Sequence, residues 1–342
     1  MSAEWILHVD LDQFQAAVEV LRQPGLAGQP VVVGGNGDPT EPRKVVTCAS
    51  YEARAFGVHA GMPLRAAARR CPDAVFLPLD GPAYEAASTQ VMDTLRSFPV
   101  EVEVWGWDEA FVGAVTDEPE TLARDVQLAV GEAAGLRCSV GIGDSKQRAK
   151  IATGFAKPAG IARLDKHTWM PTMGSRPTIA LWGIGKRTAT KLAAHGLHTV
   201  ADLAAAEPGA LAEWFGPTIG PWLRHLALGT GSTRVSTEPR VARSRSHVIT
   251  FPSDLTSREE IEQQLDRIAR ALTAEVVADG RTVRRVAIVV RTATFFTRTR
   301  IKTLPGPSQD VDEIAPAAVA LLERFELTRP VRLLGVRVEF PD

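Results

Sequence analysis

The sequence predicts a multidomain protein that combines an α/β part with an α+β part. Residues 1–170 alternate short apolar strands with helical stretches, and residues 179–205 form a helical piece. After a stretch rich in Gly, Ser and Thr, residues 243–340 return to a mixed pattern of strands and helices. A chain of 342 residues is long enough for two or three domains with buried cores.

The α/β part begins with a short apolar run that ends in acidic residues. Residues 5–9 predict a buried strand, followed by Asp10-Leu11-Asp12 and a helix over residues 14–21. Residues 31–33 and 45–46 predict two short strands, and residues 51–70 predict helix broken at two glycines. Residues 100–115 predict a β-hairpin with its turn at 106–109, then a helix over 121–134 and a strand over 136–142. The acidic residues therefore gather at one end of a small sheet.

The later elements follow a different pattern. The segment 179–205 predicts two short helices around Gly183-Ile184-Gly185 and a third helix after Gly196. Residues 229–240 are the best linker candidate. Strands are then predicted over 245–251, 283–292, 295–304 and 331–340. After the first of these strands, Ser257 and Glu260 form the pattern of a capping box, which predicts the start of a helix. This order predicts a separate α+β domain.

Composition excludes several classes of protein. The three cysteines lie far apart without a CxxC pair, which excludes a disulfide framework and a cysteine zinc site. The N-terminal residues have no basic region of a signal peptide, and no apolar run reaches the ~20 residues that span a bilayer. We therefore expect a cytoplasmic protein. The formal charge of −1 does not indicate a polyanionic partner, so any nucleic-acid contact must use locally clustered basic residues.

Four carboxylates stand in or beside apolar strands: Asp10, Asp12, Asp108 and Glu109. A charge in such a place costs several kcal/mol of desolvation unless a cation or donor compensates for it. Carboxylate oxygens favour Mg²⁺ over zinc, and two ions ~3.5–4 Å apart could clamp a phosphoryl transfer. The pattern alone leaves a second interpretation open, in which Asp10 caps the following helix and the Asp-Glu pair decorates a turn.

Four segments together resemble the DinB, or polymerase IV, branch of the Y-family DNA polymerases. They are residues 8–19, HVDLDQFQAAVE, residues 45–72, VVTCASYEARAFGVHAGMPLRAAARRCP, residues 105–113, WGWDEAFVG, and residues 139–161, SVGIGDSKQRAKIATGFAKPAGI. The segments have the order and spacing of the family, and the similarity continues to about Phe340.

The resemblance implies a right-hand polymerase with four pieces. A catalytic palm would comprise residues 1–12 and 79–165, and the fingers residues 13–78. A helical thumb with a helix-hairpin-helix would follow over 166–230, then a linker over 231–241 and a DNA-binding α+β little finger over 242–342.

The resemblance also implies roles for individual residues. Asp10, Asp108 and Glu109 match the metal-binding, catalytic carboxylates of the family, and the backbone carbonyl of Leu11 matches a fourth ligand for two Mg²⁺ ions, which Mn²⁺ could replace. Asp12 matches an acidic residue that is not usually a ligand. Three further residues match those that hold the triphosphate: Tyr51, Arg54 and Lys157.

Two positions depart from the family pattern. Gly106 stands where the family commonly has Ser, which a turn tolerates. Gln15, beside Phe14, stands where the family usually has the aromatic steric gate, a ring that collides with a ribose 2′-OH. We include Phe14 and Gln15 in the nucleotide-binding set and expect weakened discrimination against ribonucleotides. The alternative is that Gln15 or the backbone still excludes the 2′-OH.

Two regions are candidates for binding primer-template DNA. In the helix-hairpin-helix, Gly183 and Gly185 let the backbone approach a phosphate, and Lys186 and Arg187 add charge. In the C-terminal domain, residues 281–302 carry a charge of +7 without an acid. The candidates there are Arg284, Arg285, Arg291, Arg298 and Arg300.

The sequence therefore predicts a DNA polymerase of the translesion type that adds dNTPs, and also rNTPs, to a primer 3′-OH. No proofreading motif is visible. The C-terminus lacks a recognisable clamp-binding peptide, so we expect that a sliding clamp is not recruited or is bound through another surface. We also expect a monomer. One alternative is a catalytically silent DNA-binding or recruitment protein on the same fold. Another is a different palm-type nucleotidyl transferase, such as a cyclase, which the thumb-like and little-finger-like pieces disfavour.

Overall fold

A computed structural model of the protein describes residues 3–239 and 241–341. These residues form two compact units. The first unit falls within residues 1–38, 45–62 and 66–239, and the second within 39–44, 63–65 and 240–342. No helix in the described part of the chain is long and apolar enough to cross a lipid bilayer.

The described residues before the linker contain eight strands. They are β1 (Ala3–Leu11), β2 (Val31–Val33), β3 (Cys48–Ala49), β4 (Val75–Leu77), β5 (Glu101–Val104), β6 (Glu109–Thr116), β7 (Cys138–Gly143) and β8 (Ile161–Leu164). The helices of this part are α1 (Phe14–Arg22), α2 (Tyr51–Ala55), α3 (Leu64–Arg70), α4 (Gly81–Arg96), α5 (Pro119–Ala134), α6 (Lys146–Ala156), α7 (Trp169–Met173), α8 (Lys186–Ala194), α9 (Val200–Ala205), α10 (Pro208–Phe215) and α11 (Ile219–Ala227).

The main sheet of the first unit has the strand order β5-β6-β1-β7-β8. Strand β1 lies at its centre and pairs antiparallel with β6 and β7. Because side chains alternate along a strand, Leu7, Val9 and Leu11 point into a core with α4 and α5. Ile6, His8 and Asp10 lie on the other face, which α6 covers. The strand therefore brings its first acidic residue to α6.

The small three-stranded sheet, of order β3-β2-β4, corrects one predicted strand. The sequence predicted strands over 31–33 and 45–46, and β2 is where it was expected. The partner strand is β3, at Cys48–Ala49. Residues 45–46 instead bond to the loop before α3, since the Val46 amide donates to the Met62 carbonyl and the Gly61 amide to Val46.

The helical piece after residue 166 also differs from the prediction at its start. The first of the two short helices is a single 3₁₀ turn, Thr178–Ala180, whereas α8 and α9 follow the predicted pattern. Gly183 has φ +98°, a left-handed conformation that favours glycine. Buried leucines on successive elements form the core of this piece: Leu181, Leu192, Leu203, Leu211 and Leu223.

The C-terminal unit is an antiparallel sheet covered on one face by helices. Its strands are β9 (Ser244–Leu255), β10 (Val283–Thr292), β11 (Thr297–Ser308) and β12 (Val331–Glu339), and its helices are α12 (Arg258–Ala278) and α13 (Val311–Ala320), the latter followed by a 3₁₀ turn over Leu321–Arg324. The sheet order is β11-β10-β12-β9. The Ser257 hydroxyl caps α12 by accepting from the Glu260 amide, which is one of the two bonds of the predicted capping box. Strand β11 begins two residues later than predicted because Phe295 is in a left-handed turn, φ +62°.

Packing of α6 on the sheet depends on Gly141 in β7. A Cβ at this position would lie far inside van der Waals contact of the Ala149 carbonyl and the Thr153 amide. We expect Gly141→Ala to lower the free energy of unfolding by about 3 kcal/mol, since neither backbone group can move aside cheaply. Gly154→Ala on α6 is the matched control, because a Cβ there meets nothing within 4 Å. It should raise stability by about 0.5–1 kcal/mol. Urea denaturation of both variants measures the difference, and equal stabilities would contradict the prediction.

Candidate active site

The register between β1 and β6 brings the predicted carboxylates together. Asp10 lies directly opposite Glu109 in this antiparallel pair, and the Leu11 amide donates to the Asp108 carbonyl over 2.8 Å. Ligand atoms of His8, Asp10 and Glu109 all lie within 4.8 Å of one another. Residues that are far apart in the chain therefore form one acidic cluster at the end of the sheet.

Two lysines of the α6 segment neutralise this cluster. The Lys157 ammonium contacts the Asp10 carboxylate, and the Lys150 ammonium contacts Glu109. Lys150 and Lys157 are separated by two helical turns, so α6 directs both toward β1. Lys150 was not among the predicted site residues. The seven-residue spacing of the two lysines is the signal in the sequence that would have found it.

The carboxylates perturb one another. Burial raises the pKa of Asp108, and the negative charges of Asp10 and Glu109 raise it further. A hydrogen bond with His8 and the neighbouring Lys150 lower the pKa of Glu109 to about 2. Carboxylates held this close require positive charge between them, and oxygen ligands of this kind suit a hard divalent cation. The donor set therefore fits a metal site, with the lysines supplying the positive charge in this structure.

His8 is a member of the cluster that the sequence interpretation overlooked. Its ring is fully buried, and Nδ1 lies 2.9 Å from the Thr153 hydroxyl. Nε2 lies 3.1 Å from Lys150 Nζ and 3.3 Å from the Glu109 carboxylate. Burial lowers the pKa of His8, so the neutral ring is favoured. The alternation of β1, which puts His8 and Asp10 on one face, is the signal that could have found it.

Asp12 connects three parts of the site although it is not a predicted ligand. The side chain is 4% exposed. Its carboxylate accepts from the Tyr51 hydroxyl at 2.7 Å, from Ser139 at 2.9 Å and from the Ala159 amide at 2.7 Å. The Asp12 carboxylate therefore connects helix α2 to strand β7 and to the turn that follows Lys157.

Tyr51 and Arg54 project from the short helix α2, which Ser50 caps. The Arg54 guanidinium lies over the Tyr51 ring at 5.0 Å, and its Nε donates to the Ala49 carbonyl at 2.9 Å. Burial and the bond to Asp12 raise the pKa of Tyr51, so its hydroxyl stays a neutral donor. These contacts fix the side chains of Tyr51 and Arg54 on the side of Asp12 where α2 lies.

Phe14 and Gln15 have different surroundings. Phe14 is 3% exposed, and its ring packs against Tyr84 in the core, so the part of Phe14 in nucleotide binding stays a prediction that concerns its backbone rather than its ring. Gln15 is half-buried, and its amide oxygen accepts from the Thr47 hydroxyl at 2.6 Å. Position 15 therefore presents a fixed amide rather than a ring.

A cleft of about 430 Å³ lies over the acidic cluster. Its walls come from β1, from the α6 segment and from the helical piece, and include Asp10, Lys150, Lys157, Met173 and Trp182. Asp10 is the carboxylate of the cluster that lines this cleft, so a substrate in the cleft would meet Asp10 and the two lysines.

The helix-hairpin-helix candidates are accessible at the start of α8. Gly185 is the N-cap residue, and a Cβ there would meet nothing within 4 Å. Lys186 and Arg187 are exposed. Gly183 has no such room, because a Cβ would lie 3.0 Å from the Trp222 ring. A phosphate could therefore approach the backbone at Gly185, whereas Gly183 serves to make the turn before α8.

The basic candidates of the C-terminal unit do not lie on one face. Arg285 and Arg291 point to the face of the sheet that the helices leave uncovered, with Arg285 paired to Glu339 at 2.9 Å. Arg298 and Arg300 are directly paired with Val290 and Ile288, which point into the helix-covered core. Arg284 lies at an irregularity of β10 and bonds the Leu304 carbonyl. The +7 stretch is therefore divided between two sides of the sheet.

Substitution of Asp12 tests its connecting role. In Asp12→Asn an NH₂ group replaces one acceptor oxygen and faces a donor, so we expect the free energy of unfolding to fall by about 2 kcal/mol. If the site binds a nucleoside triphosphate, its KM should rise more than kcat falls, because Tyr51 and the Lys157 turn lose their common anchor. Asp93→Asn, at an exposed pair with Arg96, is the control. Unchanged stability and KM would contradict this role.

Comparison with known proteins agrees with this geometry. Residues 9–154 match the model of the impB/mucB/samB family, and residues 242–340 match the model of its C-terminal domain. DNA polymerase IV 2 of Mycobacterium tuberculosis (strain H37Rv) is 58% identical over 98% of this chain and 97% of its own length. DNA polymerase IV of Methanoculleus marisnigri is 37% identical over 97% of this chain and 93% of its own.

Solved structures of similar proteins have the same fold. A chimeric Y-family DNA polymerase is 26% identical, covers 98% of both chains and superimposes with a TM-score of 0.85. DinB from Sulfolobus solfataricus, with the same identity and coverage, has a TM-score of 0.64. On its sequence and its fold alike, this chain belongs to the impB/mucB/samB family, as a DinB-like Y-family DNA polymerase.

Proposed function

We propose that this translesion DNA polymerase joins a dNTP to a primer 3′-OH at the cluster of Asp10, Asp108 and Glu109. The observation that carries the proposal is the β1–β6 register, which sets Asp10, a lining residue of the cleft, opposite Glu109. Two divalent ions, Mg²⁺ or in its place Mn²⁺, would be held by the three carboxylates and the Leu11 carbonyl. When bound, the ions would activate the 3′-OH and neutralise charge on the triphosphate.

The side chains around the cluster have separate tasks in this reaction. Asp108 and Glu109 would hold the ion that activates the 3′-OH, and Asp10 with the Leu11 carbonyl would hold the ion that neutralises the triphosphate. Lys157 leaves Asp10 and donates to the triphosphate together with Tyr51 and Arg54. The 3′-oxygen forms a bond to the α-phosphorus, the bond from that phosphorus to the bridging oxygen breaks, and pyrophosphate leaves. The proton of the 3′-OH passes to water.

The remaining features of the proposal concern DNA and domain organisation. The palm, fingers, thumb, linker and little finger keep the boundaries given above. Gly185 with Lys186 and Arg187 would contact the primer-template backbone, and Arg285 and Arg291 would contact it from the uncovered sheet face. The cytoplasmic location, the monomeric state, the lack of proofreading and the lack of a clamp peptide stay predictions.

A catalytically silent DNA-binding protein is the alternative function. Such a protein would gain nothing from carboxylates this close to one another, since their burial and mutual repulsion cost stability. The structure keeps Lys150 and Lys157 on these carboxylates, an arrangement suited to exchange with metal ions. Mg²⁺-dependent primer extension separates the two functions.

Asp10→Ala should abolish primer extension and leave binding to primer-template DNA intact, because it removes a metal ligand but no basic contact. Extension of a labelled primer in Mg²⁺ and anisotropy of the labelled DNA measure the two properties. Asp93→Asn is the matched control and should behave as the wild type. Extension by Asp10→Ala at more than a few per cent of the wild-type rate would exclude the assigned role.

Gln15 supports the proposal that sugar discrimination is relaxed. The Thr47 hydroxyl, just before β3, donates to the Gln15 amide oxygen and so holds the side chain in place, and the Gln15 NH₂ group is a donor. An amide in this position can bond to a ribose 2′-OH, whereas an aromatic ring would collide with it. The same side chain therefore favours entry of a ribonucleotide.

Gln15→Phe tests this role. We expect the wild-type enzyme to incorporate rNTPs efficiently, and Gln15→Phe to lower rNTP incorporation about 100-fold or more at nearly unchanged dNTP incorporation, since a buried steric clash costs several kcal/mol. Single-nucleotide extension with each rNTP and dNTP measures both. Strong dNTP preference in the wild type, unchanged by Gln15→Phe, would show that the backbone or Gln15 itself already excludes the 2′-OH.

A further inference from the structure

We propose that the tip of the β10–β11 hairpin in the C-terminal unit is a stacking site for unpaired bases of a nucleic-acid strand. Its parts are the exposed rings of Phe295 and Phe296 and the adjacent arginine-lined cavity. This proposal goes beyond binding of a DNA duplex. It rests on the proposed polymerase function in one respect, namely that the single-stranded part of the template supplies the strand.

The two rings are the largest apolar groups that the hairpin exposes. Phe295 is 64% exposed and Phe296 is 51% exposed, although they are adjacent in the chain. Phe295 has φ +62°, a left-handed backbone conformation that is strained for a bulky side chain. This conformation keeps both rings out of the core of the unit.

The turn that carries the rings is braced. The Thr292 amide donates to the Phe296 carbonyl at 3.0 Å, and the Phe295 amide donates back to the Thr292 carbonyl at 2.9 Å. The Ala293 amide bonds the Pro330 carbonyl at 2.9 Å, and Arg329 donates to the Thr294 hydroxyl at 3.0 Å. A ligand that stacks on these rings therefore need not order the loop first.

Arginines lie against the rings. The Arg332 guanidinium is 4.7 Å from the Phe295 centroid, and Arg298 is 5.0 Å from the Phe296 centroid. Arg300 lies 5.4 Å from the ring of Phe325 in the same way. A guanidinium covers one side of each exposed ring and leaves area on the ring for a base. It also places positive charge where the phosphates of a stacked strand would lie.

A concave surface continues from Phe296 along the edge strand β11. The cavity has a volume of about 570 Å³, and Arg298, Arg300, Arg324 and Arg329 line it, with Glu326 as the single acid among its lining residues. It lies on the helix-covered side of the sheet, opposite to the face of Arg285 and Arg291. The cavity is thus separate from the face proposed for the duplex, and its charge suits a polyanion.

Unpaired bases are the ligand that fits both parts of this surface. In a duplex the bases are stacked on one another and offer no free face to a phenylalanine, whereas every unpaired base offers one. An acidic peptide would match the arginines but would leave two exposed rings without a planar partner. The combination of rings and arginines favours a single strand.

Binding of the full-length enzyme to a fluorescein-labelled oligothymidylate and to a blunt duplex tests the proposal. We expect Phe295→Ala with Phe296→Ala to weaken single-strand binding about tenfold or more and duplex binding less than twofold. The slope of log Kd against log salt concentration should not change, because no charge is removed. Arg298→Gln with Arg300→Gln should reduce the single-strand slope by about 1.4.

Further variants separate stacking from damage to the fold. Phe295→Leu with Phe296→Leu keeps apolar side chains and should lose the same affinity, whereas Phe296→Trp alone should retain it. Phe56→Ala, at an exposed phenylalanine of the first unit, is the matched control and should leave single-strand affinity unchanged.

Two results would overturn the proposal. One is unchanged single-strand affinity in the double alanine variant, the outcome expected if the rings bind a protein. The other is an equal loss of single-strand and duplex affinity. Primer extension by the wild-type enzyme in Mg²⁺ is measured separately and reports on the proposed polymerase function alone.

Discussion

The antiparallel pairing of β1 with β6 is the constraint on which the candidate active site depends. It fixes Asp10 opposite Glu109, while the other edge of β1 pairs with β7, and β7 in turn seats α6 through Gly141. Helix α6 then directs Lys150 and Lys157 to the same carboxylates. A shift of one residue in this register would turn Asp10 toward the core and separate the charges.

The cost of gathering these carboxylates is met by neighbours of two kinds. Lys150 and Lys157 balance charge, and their flexible ammonium groups can move away from an arriving cation. Asp12, which also lies 3.5 Å from the Lys157 ammonium, keeps neutral hydrogen-bond donors in place, among them the Tyr51 hydroxyl and the Ala159 amide. The difference matters because a metal ion can displace the two lysines, whereas the hydrogen bonds of Asp12 are structural. Asp12 therefore orders the site without needing a metal.

The C-terminal unit divides its basic residues by the pleat of its sheet. Alternation along β10 and β11 puts Arg285 and Arg291 on one face and Arg298 and Arg300 on the other, where the edge strand extends past the covering helices. A basic stretch that is continuous in sequence therefore forms two surfaces, one rich in hydroxyls and one rich in phenylalanine and arginine. The two surfaces suit different forms of nucleic acid.

The sequence by itself determined the fold class, the bounds of strands such as β10, the capped helix α12 and the acidic ends of β1 and β6. These features follow from periodicity, turn residues and motifs within short windows. Tertiary structure decided that Phe14 packs in the core, that His8 and Lys150 join the carboxylates, that Asp12 is an anchor, and which side of the sheet each arginine takes. The reason is physical: period and propensity act between neighbours in the chain, whereas strand register and burial depend on partners a hundred residues away.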